Sequence, residues 1–162
     1  MKNFGWLERK QNRAGGFNLI EVIIVITIAG VLAAAAAPSF RSFIASQRVK
    51  TASFDLIAAL TQTRSEAIKR NANVSMTAAG GGWKNGWTIA SGATTLGDKS
   101  AYKGLAIDDS NNVVAVTFRG DGRLGSAAVK LTVASTTMPS ATKRYICLSL
   151  SGQPSSRTVP CP

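Results

Sequence analysis

The 162-residue sequence predicts an α+β fold, with one long amino-terminal α-helix packed on a small antiparallel β-sheet domain. Three observations carry that expectation. From Leu19 to Ala37 the only charged side chain is Glu21, the pattern then turns amphipathic at helical spacing to about residue 71, and beyond Asn73 short β-branched runs replace the helical period. With roughly 37 residues spent on a basic leader and an apolar segment, the remainder suits a single small domain with one core.

The apolar segment comes first. As a helix, residues 17–37 would measure about 31 Å, enough to cross a hydrocarbon core. Lys2, Arg9, Lys10 and Arg13 precede it, so the positive-inside rule keeps the leader cytoplasmic and exports the remainder. An ordinary secretory signal shares the basic start, the apolar stretch and Ala35-Ala36-Ala37. Two features oppose that reading: a carboxylate inside the run costs about 2.5 to 3.5 kcal/mol at mid-membrane, though less near the interface, and the run exceeds the roughly 7 to 15 residues of a usual signal core. Cleavage there would also leave Pro38 as the first mature residue, a poor choice for that peptidase.

Gly16-Phe17, with Glu21 four residues after the Phe, resembles the processing site of prepilins. The resemblance implies cleavage after Gly16 by a prepilin peptidase and N-methylation of Phe17. Cleavage would create an amine one helical turn from Glu21 on the same face. In a low dielectric that carboxylate is expected to seek a cation in its own subunit or a neighbour, which would make it an assembly residue. The alternative is an interfacial carboxylate with no partner.

The second half of the helix carries Val49, Leu56, Leu60 and Ala67 on one face, Ile57 and Ile68 beside them, and Arg48, Asp55, Glu66 and Lys69 opposite. It should pack on the domain. Pro38 is expected to kink the helix where the halves meet, and Asn71-Ala72-Asn73 to stop it, giving about 54 residues and about 80 Å. The chain thus divides into a leader over 1–16, an apolar helix over 17–38 and an exported domain over 39–162.

Residues 74–77, 87–90, 113–118, 128–133 and 145–150 read as strands of an antiparallel sheet. Gly80-Gly81-Gly82, Lys84-Asn85-Gly86 and Gly120-Asp121-Gly122 are the turn signals between them. The triple glycine lacks the Gly-Lys-Ser/Thr ending of a phosphate loop and leads into no helix. Cys147 and Cys161, an even pair in an exported domain, are expected to form a disulfide, and the chain-entropy model gives its loop about 3 kcal/mol.

Composition narrows the function. Histidine, the commonest general base and metal ligand, is absent and two cysteines cannot close a four-thiolate site, so most familiar catalytic constellations cannot be built and only a carboxylate, Lys or Tyr mechanism stays open. No catalytic residue, cofactor or metal is expected. Against 8 acidic residues stand 19 basic ones, net +11. Without residues 1–16, which hold four of the cations and Glu8, 15 basic and 7 acidic side chains remain, net +8. That charge suits nucleic acid, anionic lipid or solubility alone.

Three further segments resemble the GspH/FimT family of type IV pilus minor pilins and type II secretion pseudopilins. They are Ala58-Ala59-Leu60-Thr61-Gln62-Thr63-Arg64-Ser65-Glu66-Ala67-Ile68-Lys69-Arg70, Trp83-Lys84-Asn85-Gly86-Trp87 and Phe118-Arg119-Gly120-Asp121-Gly122-Arg123. The resemblance implies a pilin-like fold, with Arg64, Glu66 and Arg70 read as a solvated helix face and Trp83 and Trp87 as packing residues. It also implies a low-copy subunit near a filament tip that primes assembly with other pilins or pseudopilins. That subunit would be anchored once in the bacterial inner membrane with its carboxy-terminal domain in the periplasm. The tail from Arg144 to Gly152, with Cys161 beyond it, looks closer to the pilus members.

Some family members act in natural transformation through a Gly-Arg-x-Arg loop. Here the corresponding stretch is Gly152-Gln153-Pro154-Ser155-Ser156-Arg157, without both motif arginines. Lys143, Arg144 and Arg157, with Arg119, Arg123 and Lys130, remain candidates for weak phosphate contacts to DNA. The competing reading is that these cations only solvate a sheet.

Overall fold

The structure, a computed structural model, describes residues 18–138 and 140–162; the leader, Gly16 and Phe17 lie outside the described residues. The chain divides into two compact units, residues 1–37 and 38–162. In the first, helix α1 (Leu19–Arg70) opens on Asn18, whose side-chain oxygen accepts from the Ile20 amide at 3.3 Å. The large apolar side chains from Leu19 to Leu32 are all exposed. Thr27, the hydroxyl in this run, donates to the Ile23 carbonyl at 2.7 Å and so needs no outside partner.

The second unit holds the rest of α1 and all strands. Pro38 removes one bond to the carbonyl four residues back, yet the helix continues beyond it. Val49, Leu56, Leu60 and Ala67 are buried on one face, as the spacing predicts. Ser53 and Thr63 share that face because their hydroxyls donate to the Val49 and Ala59 carbonyls at 2.8 and 2.6 Å. The helix stops at Arg70 through a left-handed Asn71 (φ 47°). The Ala72 amide donates to Ala67 and that of Asn71 to Ile68, the Schellman arrangement.

Eight strands follow: β1 (Val74–Ala78), β2 (Gly86–Ser91), β3 (Thr94–Ser100), β4 (Leu105–Asp109), β5 (Ala115–Phe118), β6 (Val129–Ser135), β7 (Arg144–Leu148) and β8 (Pro154–Arg157). They form two four-stranded antiparallel sheets, ordered β3-β2-β1-β5 and β4-β6-β7-β8. Alternation sends Val74, Met76, Ile89, Val116 and Phe118 from the first sheet and Leu105, Ile107, Leu131, Val133 and Ile146 from the second into one core with the helix.

Five of these strands match the expected runs, and three do not appear among them. β3 is an edge strand without a buried residue, so no alternation marks it. The apolar part of β4 is only Leu105-Ala106-Ile107, and β8 is a four-residue edge strand that begins with proline, the position a sheet tolerates. The single expected sheet is therefore two.

Candidate functional site

Glu21 lies exposed in the first turn of α1, where the helix dipole favours a carboxylate by about 0.3–1 kcal/mol. The surrounding run carries no other charge to Ala37. Chemically this is an apolar rod with one acid near its start, suited to packing against other apolar helices or lipid.

The Trp83-Lys84-Asn85-Gly86-Trp87 segment faces inward. Both indoles are buried, and Trp83 Nε1 donates to the Val113 carbonyl at 2.8 Å. Residues Trp83–Asn85 form a 3-10 turn that ends at Gly86, with φ of 97°. A Cβ there would fall 1.9 Å from the Lys99 carbonyl oxygen, so only glycine fits against β3. The Tyr102 ring lies 5.9 Å from that of Trp87, and its hydroxyl donates to Asp55 at 2.8 Å. Lys99 pairs with the same carboxylate at 2.8 Å and lies over the Tyr102 ring. Asp55 is thus not a free member of a solvated face: it ties α1 to β3 and the loop after it. Sequence reasoning missed this cluster because Lys99 and Tyr102 lie outside every expected element. Burial and the Asp55 carboxylate push the Tyr102 hydroxyl well above its usual range.

The helix-face residues divide. Glu66 pairs with Arg70 at 2.8 Å and Lys69 at 3.8 Å, and the Arg70 hydrogen bond holds its carboxyl below the usual range. Arg64 instead is half-buried and donates from Nη1 to Gln153 Oε1 at 3.1 Å. The Gly120-Asp121-Gly122 turn packs on these same helix turns: a Cβ on Gly122 (φ 77°) would come within 2.7 Å of Ile68 Cδ1 and 3.2 Å of Arg64 Nε. Gln153, where the resembling loop carries an arginine, is therefore bound to the helix.

Cys147 on β7 and Cys161 are joined, with Cα atoms 5.7 Å apart. Lys130 on β6 pairs in register with Cys147, and Arg157 on β8 with Tyr145. Lys130, Arg157 and the disulfide line one groove of about 440 Å³, where the Lys130 ammonium donates to the Pro162 carbonyl. Lys143 is exposed just before β7. Arg144 differs. It shares the parity of buried Ile146 and Leu148, and its Nε is buried without a hydrogen-bond partner, so it is not grouped with the other cations. Among the described residues no group of three or more His, Cys, Asp or Glu is placed to hold a metal.

Residues 52–152 match the family described as type II transport protein GspH, over more than half of the chain. The chain belongs to this family. Residues 11–37 match the prokaryotic N-terminal methylation motif, which spans Gly16, Phe17 and Glu21. Two crystal structures of the type IV minor pilin FimU from Pseudomonas aeruginosa strain PAO1 are similar to this GspH-family chain. The P21 form has a TM-score of 0.62 at 22% identity, covering 68% of this chain and 89% of that one. The P65 form has a TM-score of 0.59 at 23% identity, covering 67% and 91%. The long helix with antiparallel sheets is thus the pilin fold, and its apolar helix and methylation motif mark a membrane-anchored subunit of the pilin or pseudopilin kind.

Proposed function

We propose that this chain is a non-catalytic minor pilin or pseudopilin that primes assembly near the tip of a type IV pilus or type II secretion pseudopilus. The observation that carries the reading is the exposed apolar run from Leu19 to Leu32, whose only charge is Glu21 and whose one hydroxyl, Thr27, is satisfied within the helix. Such a run is stable only in lipid or against other helices, and filament assembly exchanges the first environment for the second. In this reading a prepilin peptidase cuts after Gly16, Phe17 is methylated, and residues 39–162 stand in the periplasm. The mature amine then meets Glu21 of its own or a neighbouring subunit.

The test compares wild type with Glu21→Ala in sheared filaments and in membranes, after mass spectrometry of the mature amino terminus. The variant should remain folded in membranes and be recovered far less in filaments. Equal recovery, or a mature chain that starts at Pro38, would refute the assembly role.

A second reading, weak DNA reception during natural transformation, is favoured by one observation: Lys130 and Arg157 line the same groove, with Lys143 close by in sequence to the strand that Arg157 pairs with. Against it, Lys130 is engaged by Pro162 and Gln153 by Arg64. This leaves a small phosphate-neutralising surface and no means of base readout.

A further inference from the structure

Just after the membrane-length segment, α1 presents large apolar side chains to solvent. Phe40, Phe43 and Phe54 are 63, 57 and 68% exposed, and Ile44 is exposed beside them. Their spacing, with Gln47 and Thr51 between, puts them on one helical stripe. Within the domain, Phe43 and Ile44 face Tyr102, Lys103 and Leu105 across a groove of about 530 Å³. A smaller groove of about 240 Å³ shares Ile44 and Arg48 with it and adds Arg41 and Thr137.

The charge around these grooves has one sign. Arg41, Arg48 and Lys103 are exposed, and among the described residues none has a carboxylate within ion-pair distance. Asp55, the nearest acid along the helix, is already engaged by Lys99 and Tyr102. An apolar floor with three unpaired cations at its rim fits a ligand that is itself apolar at one end and anionic at the other. Position supports the same class: Phe40 to Ile44 follow the apolar run by three to seven residues, about 4.5–10.5 Å at the helical rise, so the stripe starts inside a headgroup layer some 5–8 Å deep and Ile44 lies just past its outer edge. Side chains on a helix lean toward its amino terminus, so Arg48 reaches back over Ile44, with which it lines both grooves.

We propose that the groove of Phe43, Ile44, Arg48, Lys103 and Leu105, with Arg41 beside it, seats the headgroup and glycerol region of an anionic phospholipid while the subunit is membrane-anchored. It rests on the anchored state in the proposed function and adds to it a lipid preference. A neighbouring subunit's apolar helix would satisfy the phenyl rings and leave three cations unanswered, which is why lipid is the better fit. The tie of Tyr102 to Asp55 and its contact with Trp87 hold one groove wall in place.

The test uses the full chain in nanodiscs of equal phosphatidylcholine and phosphatidylglycerol, with native mass spectrometry counting lipids retained on release. Wild type should retain phosphatidylglycerol in preference. Retention should fall roughly fivefold per cation removed in Arg41→Ala, Arg48→Ala and Lys103→Ala. The control set Lys84→Ala, Arg119→Ala and Arg123→Ala lowers the net charge equally at exposed positions elsewhere and should change nothing. Equal retention of the two lipids, an equal fall in the control set, or a photo-crosslinker at position 43 that captures a second polypeptide in place of lipid would each overturn the proposal. The amount of chain held in the nanodisc, scored separately, reports anchoring. Loss of filament incorporation with lipid preference intact would count against the assembly role alone.

Discussion

Gly122→Ala is expected to destabilise the domain by about 1.5–3.5 kcal/mol, and the structure separates this into two parts. The first is conformational: φ of 77° is left-handed, which costs an L-residue about 1–2 kcal/mol relative to glycine. The second is steric, since the new methyl would lie 2.7 Å from Ile68 Cδ1 and 3.0 Å from Cγ1. Ile68 is half exposed and can rotate away, at about 0.5–1.5 kcal/mol for an off-rotamer position. Gly86→Ala provides the contrast. Its methyl would fall 1.9 Å from the Lys99 carbonyl oxygen, a backbone atom in the β2-β3 pairing that no rotamer change can move. That substitution should therefore cost more, or displace β3 from its register. The assay is urea unfolding of the full chain in non-ionic detergent, followed by the fluorescence of Trp83 and Trp87, both buried. Combining Gly122→Ala with Ile68→Ala should recover the steric part and leave the conformational part. If the double variant is as unstable as the sum of the singles, the Ile68 contact is not the source of the strain. If Gly86→Ala is no worse than Gly122→Ala, the distinction between backbone and side-chain obstruction fails.

Tyr102→Phe should lose about 1 kcal/mol at neutral pH, the roughly 1.5–3 kcal/mol of a hydrogen bond to a charged group discounted for partial exposure. Because the folded state raises the Tyr102 pKa above 10.0, that group's stabilisation is full below pH 10 and is lost as pH rises beyond it. Alkaline urea titrations should show a slope in wild type that the variant lacks. Cys147→Ser with Cys161→Ser should cost about 3 kcal/mol, and thiol labelling of denatured, non-reduced protein should find neither cysteine free. If the domain binds DNA, fluorescence anisotropy should give a log affinity that falls linearly with log salt by about 0.9 per phosphate neutralised. Arg157→Ala should weaken binding and Arg144→Ala should not, since Arg144 Nε is buried; tight binding with sequence preference would refute the non-specific reading.

The helix was legible because its signals are redundant. Val49, Leu56, Leu60 and Ala67 repeat at helical spacing and are all buried, and the asparagine at 71 supplies the left-handed stop. Strands β1, β2, β5, β6 and β7 were legible through β-branched runs with one buried face. β3 and β8 were not, since neither buries a residue and so neither shows a buried face, and β4 was not because only Leu105-Ala106-Ile107 of it is apolar. Of the candidate site, the cysteine pair could be read from residue type and context, as could the place of Glu21 in the first turn of α1. The Asp55, Lys99 and Tyr102 cluster could not, because an ion pair between residues 44 apart in sequence has no local signature. Arg144 could not be told from Lys143 until the parity of β7 was known, as one residue along a strand reverses the face.

The segments that carry the family likeness turn out to be the ones that fix the fold. Trp83 is held to Val113, Gly86 admits β3, Gly122 admits the helix, and Arg64 holds Gln153. Each of these four contacts is explained by packing inside this domain, without reference to a partner. A preference for particular neighbours is then expected in what the core does not use, foremost the exposed apolar run with Glu21 and the Lys130 and Arg157 groove. Two chains could share every inward-facing signature residue, fold alike, and still belong to different filaments. For that reason exchanging the exposed run from Leu19 to Leu32 for that of another pilin is a sharper probe of filament membership than any substitution within the family motifs.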